Sequence, residues 1–339
     1  MTMLTRRGAL KGLAGAAGAA GFGLPALAAD KLVVGALRFT SHAPSFVALE
    51  RGYFKEAGLD VEFSFFQAAQ PMAVAIASGD VGFGVTAISG GLISLADKGA
   101  VKVIGGGLQE EKGIDGQMIL ASNAAHEDGL TTPAGLRGKS FGMTTAGSSF
   151  HYMGSKIAAA EGFAGELKMT PLQKVGAVIG ALKSGQIDAW AIVPHIGKAL
   201  VGGEAAKQIG WVADYLPNYQ VTTVFTSAET AANERAKTEA FIAAFAKGAA
   251  DFNAALVDRT AGDEAAEEMT KLIHKYVYAD DDYAKAAPKI VNGAMRMNEG
   301  AALNIASIED QLAWFKAEAL VSADVTMETL VDSSYVPAI

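Results

Sequence analysis

The sequence predicts an α/β protein of two similar lobes, each a mostly parallel sheet flanked by helices. From Leu32 to Thr226, short apolar runs alternate with segments of helical spacing, which is the pattern of βαβ units. Ile76–Thr86 also matches Leu182–Ile192 in pattern, with an offset of 106 residues from position 78 to position 184. Both segments predict a helix, a Ser-Gly turn and a strand. With 339 residues, 50% of them hydrophobic, the chain is long enough for two such lobes.

The first lobe begins with a buried strand, Leu32–Leu37, and a helix that Pro44 opens. Further strands are predicted at Asp60–Phe65, Val81–Val85 and Val101–Ile104, separated by helices at Pro71–Ser78 and Leu92–Lys98. Ligands of open α/β sheets bind beyond the carboxyl ends of strands. We therefore expect the loop Phe39–Ala43 to contact a ligand.

The chain is predicted to cross twice between the lobes. Gly116–Ser122 is a strand that enters the second lobe, and Tyr219–Thr226 is a strand that returns to the first. This assigns residues 30–116 and 223–339 to lobe 1 and residues 117–222 to lobe 2, with a hinge at the crossings near 117 and 221. The repeated pattern predicts that the strand exits Thr86–Ile88 and Ile192–Pro194 face each other across a cleft.

From Ala228 onward the sequence predicts mainly helices, which we expect to cover the first lobe. They are predicted at Glu234–Val257, Asp263–Val277, Asp280–Ala287 and Ile308–Ala319. Ser307 and Asp310 have the spacing of a capping box. The acidic run Asp280–Asp282 lacks the alternating ligands of a calcium loop and favours a helix N-terminus, so no metal site is predicted there.

The first 29 residues predict a cleaved export signal. Their only charges are Arg6, Arg7 and Lys11, and a weakly hydrophobic stretch rich in Ala, Gly and Leu follows. Cleavage is expected after Ala28 or Ala29. The stretch is too short to span a membrane. We therefore expect a periplasmic protein.

The export route stays open between the twin-arginine and Sec systems. Thr5–Lys11 resembles a twin-arginine signal, but Ala9 stands where that motif usually has a large apolar residue.

Composition excludes several classes of partner and chemistry. The net charge of −8 becomes −8 − 3 = −11 once the three cations of the signal are removed, and no basic tract remains, so nucleic acid is not an expected partner. The absence of cysteine excludes disulfides, thiolate metal sites, a cysteine nucleophile and a lipid-attachment site. We expect a monomer without membrane insertion after cleavage.

Lys139–Lys156 predicts a ligand-binding strand, loop and helix start. Ser140–Met143 is a short buried strand, Thr144–Ser149 tolerates a tight turn, and helical spacing begins at Phe150, with Ser148 or Ser149 as the cap. The free N–H groups and positive dipole end of a helix start bind carboxylates, sulfonates and phosphates. A Gly-Ser turn before a helix is equally compatible with simple capping.

Several short segments carry a resemblance to a known family. They are Ser41–Pro44, Ala48–Phe54, Gly58–Val61, Ala77–Gly84, Leu136–Gly142 and Ser307–Gln311. In this order they resemble the periplasmic solute-binding proteins of ABC transporters, of the nitrate/sulfonate/taurine and thiamine-pyrimidine-precursor type. The resemblance covers nearly all of the mature chain. It implies a type II periplasmic binding protein fold without cofactor, whose two lobes close on a small ligand for delivery to an inner-membrane permease.

The resemblance does not fix the ligand, because members take up nitrate, alkanesulfonates, taurine, pyrimidines or aromatic acids. Gly147–Tyr152 and the stretch around Gln117 look most like members that bind aromatic or other organic acids. A small organic anion is therefore expected, with a pyrimidine precursor or nitrate as alternatives. A periplasmic sensor module with the same fold is a further alternative.

The predicted ligand-binding residues lie at strand exits, at the helix start and at the hinge. They are Arg38, Phe39, Thr40, Ser41, His42, Gln67, Thr86, Ala87, Gly147, Ser148, Ser149, Phe150, Pro194, His195, Tyr219 and Thr222. Arg38 is the one guanidinium near a predicted cleft loop and would pair bidentately with a carboxylate or sulfonate. If Arg38 points outward, helix-start amides and hydroxyls must hold the anion, and the sequence leaves both arrangements open.

Catalysis is not predicted. The histidines are His42, His126, His151, His195 and His274, and none lies in HExxH or a comparable ligand spacing. GxSxG is absent around Ser148. Pyrimidine-forming enzymes among the similar proteins consume a histidine and need a cysteine-rich iron site, which a chain without cysteine lacks.

Overall fold

The structure is a computed structural model that describes residues 31–339. The predicted export signal, with both predicted cleavage positions, lies outside the described residues.

Residues 31–339 contain ten strands in two five-stranded sheets. The strands are β1 (Leu32–Ala36), β2 (Val61–Phe65), β3 (Phe83–Thr86), β4 (Val101–Gly106), β5 (Met118–Ala121), β6 (Ser140–Met143), β7 (Lys168–Pro171), β8 (Ala189–Ile192), β9 (Lys207–Trp211) and β10 (Thr223–Ser227). The first sheet has the order β2-β1-β3-β10-β4, and the second has the order β7-β6-β8-β5-β9.

Four strands of each sheet point in one direction and the fifth runs against them. β1 is parallel to β2 and β3, and β6 is parallel to β7 and β8. The opposing strands are β10, which lies between β3 and β4, and β5, which lies between β8 and β9. Each opposing strand follows directly on a crossing between the sheets. The predicted pair of mostly parallel, helix-flanked sheets is confirmed.

The helices of the described chain flank these sheets. They are α1 (Ala43–Glu50), α2 (Tyr53–Glu56), α3 (Ala69–Ala77), α4 (Gly90–Asp97), α5 (Asn123–Glu127), α6 (Ser149–Ala160), α7 (Val175–Lys183), α8 (Pro194–Gly202), α9 (Ala228–Asn233), α10 (Arg235–Phe252), α11 (Gly262–His274), α12 (Tyr283–Val291), α13 (Ile305–Ala317) and α14 (Met327–Leu330).

The repeated sequence pattern corresponds to a repeated structure. α3 spans 69–77 and α7 spans 175–183, so both ends differ by 106 residues. β3 at 83–86 and β8 at 189–192 have the same offset. A Ser-Gly pair ends each helix, with Gly79 at φ +85° and Gly185 at φ +72°, a conformation that glycine adopts without strain.

The segments that cross between the sheets are hydrogen-bonded to each other. The N–H groups of Val221 and Thr222 donate to Leu108 O at 2.8 and 3.1 Å, and Leu108 N–H donates to Thr222 Oγ1 at 2.7 Å. Glu110 N–H donates to Tyr219 O at 2.9 Å. The two crossings therefore form one short paired ribbon.

The C-terminal helices pack on the first lobe and also contact helices that flank the second sheet. α10 packs on α1 as expected, but α12 packs against α8, which flanks the second sheet, and α13 contacts α6. Asn304 caps α13 by accepting from Ser307 N–H, so the predicted capping box of Ser307 and Asp310 is wrong. Asp310 instead accepts hydrogen bonds from Tyr152 and Lys156 of α6.

One helical stretch among the described residues, Arg235–Val257, is long and apolar enough to cross a membrane by length and composition. Within it, 56% of the relevant window is buried, and Phe241, Phe245 and Phe252 are fully buried. These features are those of a core helix.

Gly248→Ala is expected to destabilise the protein by about 1–3 kcal/mol, because α10 approaches the backbone of α1 too closely for a methyl group. A Cβ at Gly248 would lie 2.2 Å from Pro44 O and 3.1 Å from Ala48 N. Urea unfolding measures the change. The control is Gly180→Ala in α7, where a Cβ meets nothing within 4 Å. Because alanine favours the helix more than glycine does, the free energy of unfolding should rise by up to about 1 kcal/mol. Equal effects at both positions would contradict this packing.

Candidate functional site

Two adjoining spaces lie between the strand ends of the two sheets. We call them the small cavity, of about 60 Å³, and the large groove, of about 380 Å³. Leu37, Phe39 and Val175 line both. The small cavity is also lined by Ser41, His42, Ala68, Ala69, Thr86, Ala87, Gln117, Thr144, Ser148, Ser149, Phe150, Ile192, Val193, Val221 and Thr222. The matching strand exits of the two sheets thus meet at this cavity.

The start of α6 presents unused hydrogen-bonding groups to the small cavity. Ser148 is the N-cap, and Gly147 before it has φ +71°, which closes the tight turn. Ser148 makes no side-chain capping bond, and within residues 31–339 its buried Oγ has no partner. The N–H groups of Ser149 and Phe150 belong to the first turn, which has no intrahelical acceptors. An anion in the cavity could accept from all three groups.

Gln117 supplies a second unused donor. Gln117 is 2% exposed and lines the small cavity, and its side chain lies beside the Glu110 carboxyl, but its Nε2 has no hydrogen bond of good geometry among the described residues. A buried amide N–H without an acceptor destabilises the folded protein by about 1–3 kcal/mol, unless a ligand atom accepts its hydrogen bond. Gln117 therefore has the position and the free donor of a ligand contact.

Glu110 lies beside Gln117 and is fully buried. Its Oε1 accepts from Gln117 N–H at 3.0 Å, while Oε2 has no partner within the described chain. A Cβ at Gly116 would lie 1.9 Å from Oε2, so glycine is needed there to accommodate the carboxyl group. Burial raises the pKa of Glu110 to about 7. Burial, and secondarily Glu110, also raises the pKa of the Tyr219 hydroxyl, which has no partner in the part of the chain that the structure describes.

The two buried histidines are neutral. His42 accepts from Leu37 N–H at 3.4 Å through Nδ1, so its proton lies on Nε2. Thr40 Oγ1 donates to Gly293 O and therefore accepts from His195 Nδ1–H, at 3.0 Å. Burial lowers the pKa of each ring to about 3, and His42 adds to the shift of His195. His42 lines the small cavity and His195 lines the large groove.

Arg38 lies away from the small cavity. Its guanidinium carbon is 3.8 Å from the centre of the Phe65 ring, and Nη1 donates to Tyr276 O at 3.1 Å. It forms part of the wall of the large groove instead. Among the residues that line the small cavity, none has a charged side chain.

The structure brings nine of the predicted site residues to the small cavity. These are Phe39, Ser41, His42, Thr86, Ala87, Ser148, Ser149, Phe150 and Thr222. Arg38, Gln67 and His195 line the large groove, which Phe39 also borders. Thr40, Gly147, Pro194 and Tyr219 line neither space.

Several lining residues were missing from the predicted set. Thr144 follows directly on β6, so the strand-exit rule could have found it. Val175 is the first residue of α7, and no local motif marks it. Gln117 comes just before β5, in a stretch whose resemblance to binders of organic acids is a signal that could have found it. Among the described residues there is no group of three or more His, Asp or Glu side chains that could hold a metal ion.

The arrangement of the two sheets is that of the periplasmic binding proteins. The alkanesulfonate-binding protein SsuA from Xanthomonas axonopodis pv. citri, solved with MOPS bound, has a TM-score of 0.68 at 17% identity, over 90% of this chain and 98% of that one. The nitrate-binding protein NrtA from Synechocystis PCC 6803 has a TM-score of 0.69 at 12% identity, over 88% and 83% of the two chains. SsuA from Escherichia coli has 0.67 at 17%, over 89% and 92%.

Residues 39–255 match the NMT1/THI5-like family, and the chain belongs to that family. No curated protein sequence matches it. The family and the fold inferred from the sequence are therefore confirmed.

Glu110→Gln is expected to flatten the pH dependence of stability between about pH 5 and 8. The folded pKa of about 7 exceeds the ordinary value of 4.5, so the folded protein holds a proton that the unfolded chain releases. This contribution is complete below the unfolded pKa and is lost as the pH rises through about 7, with a slope of at most about 1.4 kcal/mol per pH unit.

Urea unfolding across this pH range gives the free energy of unfolding of the wild type and of the variant. The pH-dependent contributions of His42 and His195 are the same in both proteins and cancel in the difference. The matched control is Glu111→Gln, which removes the neighbouring carboxylate from its ion pair with Arg296 and should leave the slope in place. Parallel curves for the wild type and Glu110→Gln would show that Glu110 does not retain its proton.

Proposed function

We propose that this protein is the substrate-binding component of an ABC importer and captures a small organic anion between its two sheets. The observation that carries the proposal is a pair of buried donors on the wall of one cavity, Ser148 Oγ and Gln117 Nε2, neither of which is hydrogen-bonded within residues 31–339. Buried polar groups are normally hydrogen-bonded, so a polar ligand accounts for both. The sulfonate- and nitrate-binding proteins with the same fold support this class of function.

The anion is held by neutral donors. An anion in the small cavity would meet the Ser148 hydroxyl, the Gln117 amide, the His42 Nε2–H and the first N–H groups of α6. Such dipoles stabilise a buried negative charge without a cation. Arg38, which already contacts Phe65 and Tyr276, is not the partner of the anion in this proposal.

Capture occurs by hinge closure. The lobes are 30–116 with 223–339, and 117–222. The hinge is at the crossings near 117 and 221, which Leu108–Glu110 and Tyr219–Thr222 pair by hydrogen bonds. Contacts between the two sides favour the closed form. Gly90 N–H donates to Gly147 O at 2.8 Å, and Lys156 pairs with Asp310 at 2.8 Å. A two-lobed protein with such a hinge closes on its ligand and reopens to release it.

Export to the periplasm, through the twin-arginine or Sec route, completes the proposal. The mature protein acts as a monomer and passes its ligand to a permease in the inner membrane. It binds the ligand without transforming it.

Thermal unfolding of refolded, ligand-stripped protein tests this function. The panels are aromatic carboxylates, sulfonates, short organic acids, pyrimidines and nitrate. A ligand at 100 times its Kd stabilises the folded state by about 2.7 kcal/mol, which raises Tm by several degrees. A response to an anionic panel supports the proposal. Chemical turnover of a responding compound, or no response to any panel together with no small molecule in the mass spectrum of unstripped protein, would contradict it.

Ser148→Ala and Gln117→Leu are each expected to weaken anion binding by about tenfold or more, because each removes a hydrogen bond to a charged group. Arg38→Gln should change the Kd by less than about twofold. Isothermal titration with the panel anion of highest affinity measures all three. Ser155→Ala, the same change further along α6, is the matched control and should bind as the wild type does. A large loss confined to Arg38→Gln would show that the guanidinium holds the anion.

A further inference from the structure

The large groove differs from the small cavity in its chemistry. Apolar side chains dominate its wall, and they come from strand ends of the first sheet and from the helices α7 and α8. They are Leu37, Phe39, Phe65, Phe66, Val175, Ile179, Ile196, Ala199 and Leu200. Val175 and Ile179 lie one turn apart on α7, and Ile196 and Leu200 lie one turn apart on α8. The two helices thus present apolar rows to the strand exits of the first sheet.

Two polar residues on this wall, His195 and Tyr278, are engaged within the protein, whereas Arg38 and Gln67 are exposed. Arg38 donates to Tyr276 O and lies over Phe65. His195 is bonded to Thr40 through Nδ1, and the Tyr278 hydroxyl donates to His195 O at 3.1 Å. The groove therefore offers mainly apolar contact area, and its exposed polar residues are Arg38 and Gln67, whereas the small cavity offers buried free donors.

No carboxylate lines either space among the described residues. A ligand with an ammonium group would therefore bury that charge without a counter-ion, which is unfavourable. Nitrate would leave the groove unused. The combined volume, about 60 Å³ in the cavity and about 380 Å³ in the groove, lies in the range of sites that enclose a whole organic ligand.

From this juxtaposition we propose that the ligand is an anion with an apolar alkyl or aryl tail and no amino group. Its anionic end lies in the small cavity at Ser148 and Gln117. Its tail passes Phe39 and Val175 into the large groove and lies against Ile179, Ile196 and Leu200. The inference rests on the proposed function and narrows its substrate class.

A homologous series of straight-chain sulfonates tests the tail. Titration of methane-, butane-, hexane- and octanesulfonate into stripped protein should show affinity rising about two- to fourfold per methylene until the groove is filled, since each buried methylene contributes about 0.8 kcal/mol. The corresponding carboxylates, from acetate to nonanoate, provide a second head group with the same expected trend. Taurine should bind much more weakly than butanesulfonate.

Two variants separate the tail from the head. Ile179→Gln should reduce the gain per methylene and leave the affinity for methanesulfonate unchanged. Gln117→Leu should weaken the binding of every member of the series by a similar factor and leave the gain in affinity per methylene unchanged. The groove variant and the cavity variant are thus controls for each other.

The outcomes distinguish this inference from the proposed function. Anion binding that does not depend on tail length, or tight binding of nitrate or taurine, would overturn the apolar-tail assignment and leave the binding function in place. A length dependence that survives Ile179→Gln and Leu200→Gln unchanged would place the tail elsewhere and also overturn it. Absence of binding by both series and every panel compound, together with no small molecule in the mass spectrum of unstripped protein, would overturn both proposals.

Discussion

The pairing of the two crossing segments is the constraint on which the site depends. Leu108 and Thr222 exchange hydrogen bonds where the chain passes between the sheets. Gln220 next to them is fully buried; its Nε2 donates to Leu108 O and Thr222 O, and its Oε1 accepts from Asn298 and Asn304. This network connects the crossings to the C-terminal helices and brings the carboxyl ends of both sets of strands to one place.

The shape of the site follows from the internal repeat. β3 and β8 occupy equivalent positions in their sheets, so their exits at Thr86 and at Ile192 both reach the small cavity. Each sheet contains one antiparallel strand next to a crossing: β10, which returns to the first sheet after the second sheet is complete, and β5, which is the first strand of the second sheet. The same topology thus produces two similar halves and joins them at the edge where a ligand can be enclosed.

Local patterns predicted much of this arrangement. Apolar runs and Ser-Gly turns located the strands and helices, and the strand-exit rule identified Ser41, His42 and Thr86 as cavity residues. Contacts between distant segments were not predictable in this way. The position of Arg38 depends on Phe65 and Tyr276, the bonds of Asp310 depend on α6, and the buried Glu110 depends on the space left by Gly116. No local pattern encodes such long-range contacts.

Closure of the two sheets on a ligand is the central claim, and a distance between the lobes tests it most directly. Because the chain has no cysteine, spin labels at Lys98→Cys beside α4 and Lys183→Cys in α7 would be the only two labels. Both positions are exposed. Double electron–electron resonance measures the distance between the two labels in stripped protein, with and without the anion that stabilises it most. The distance distribution should be broad without the anion, and it should become narrower and shift when the anion binds. An identical distribution in both samples, despite saturated binding, would contradict closure.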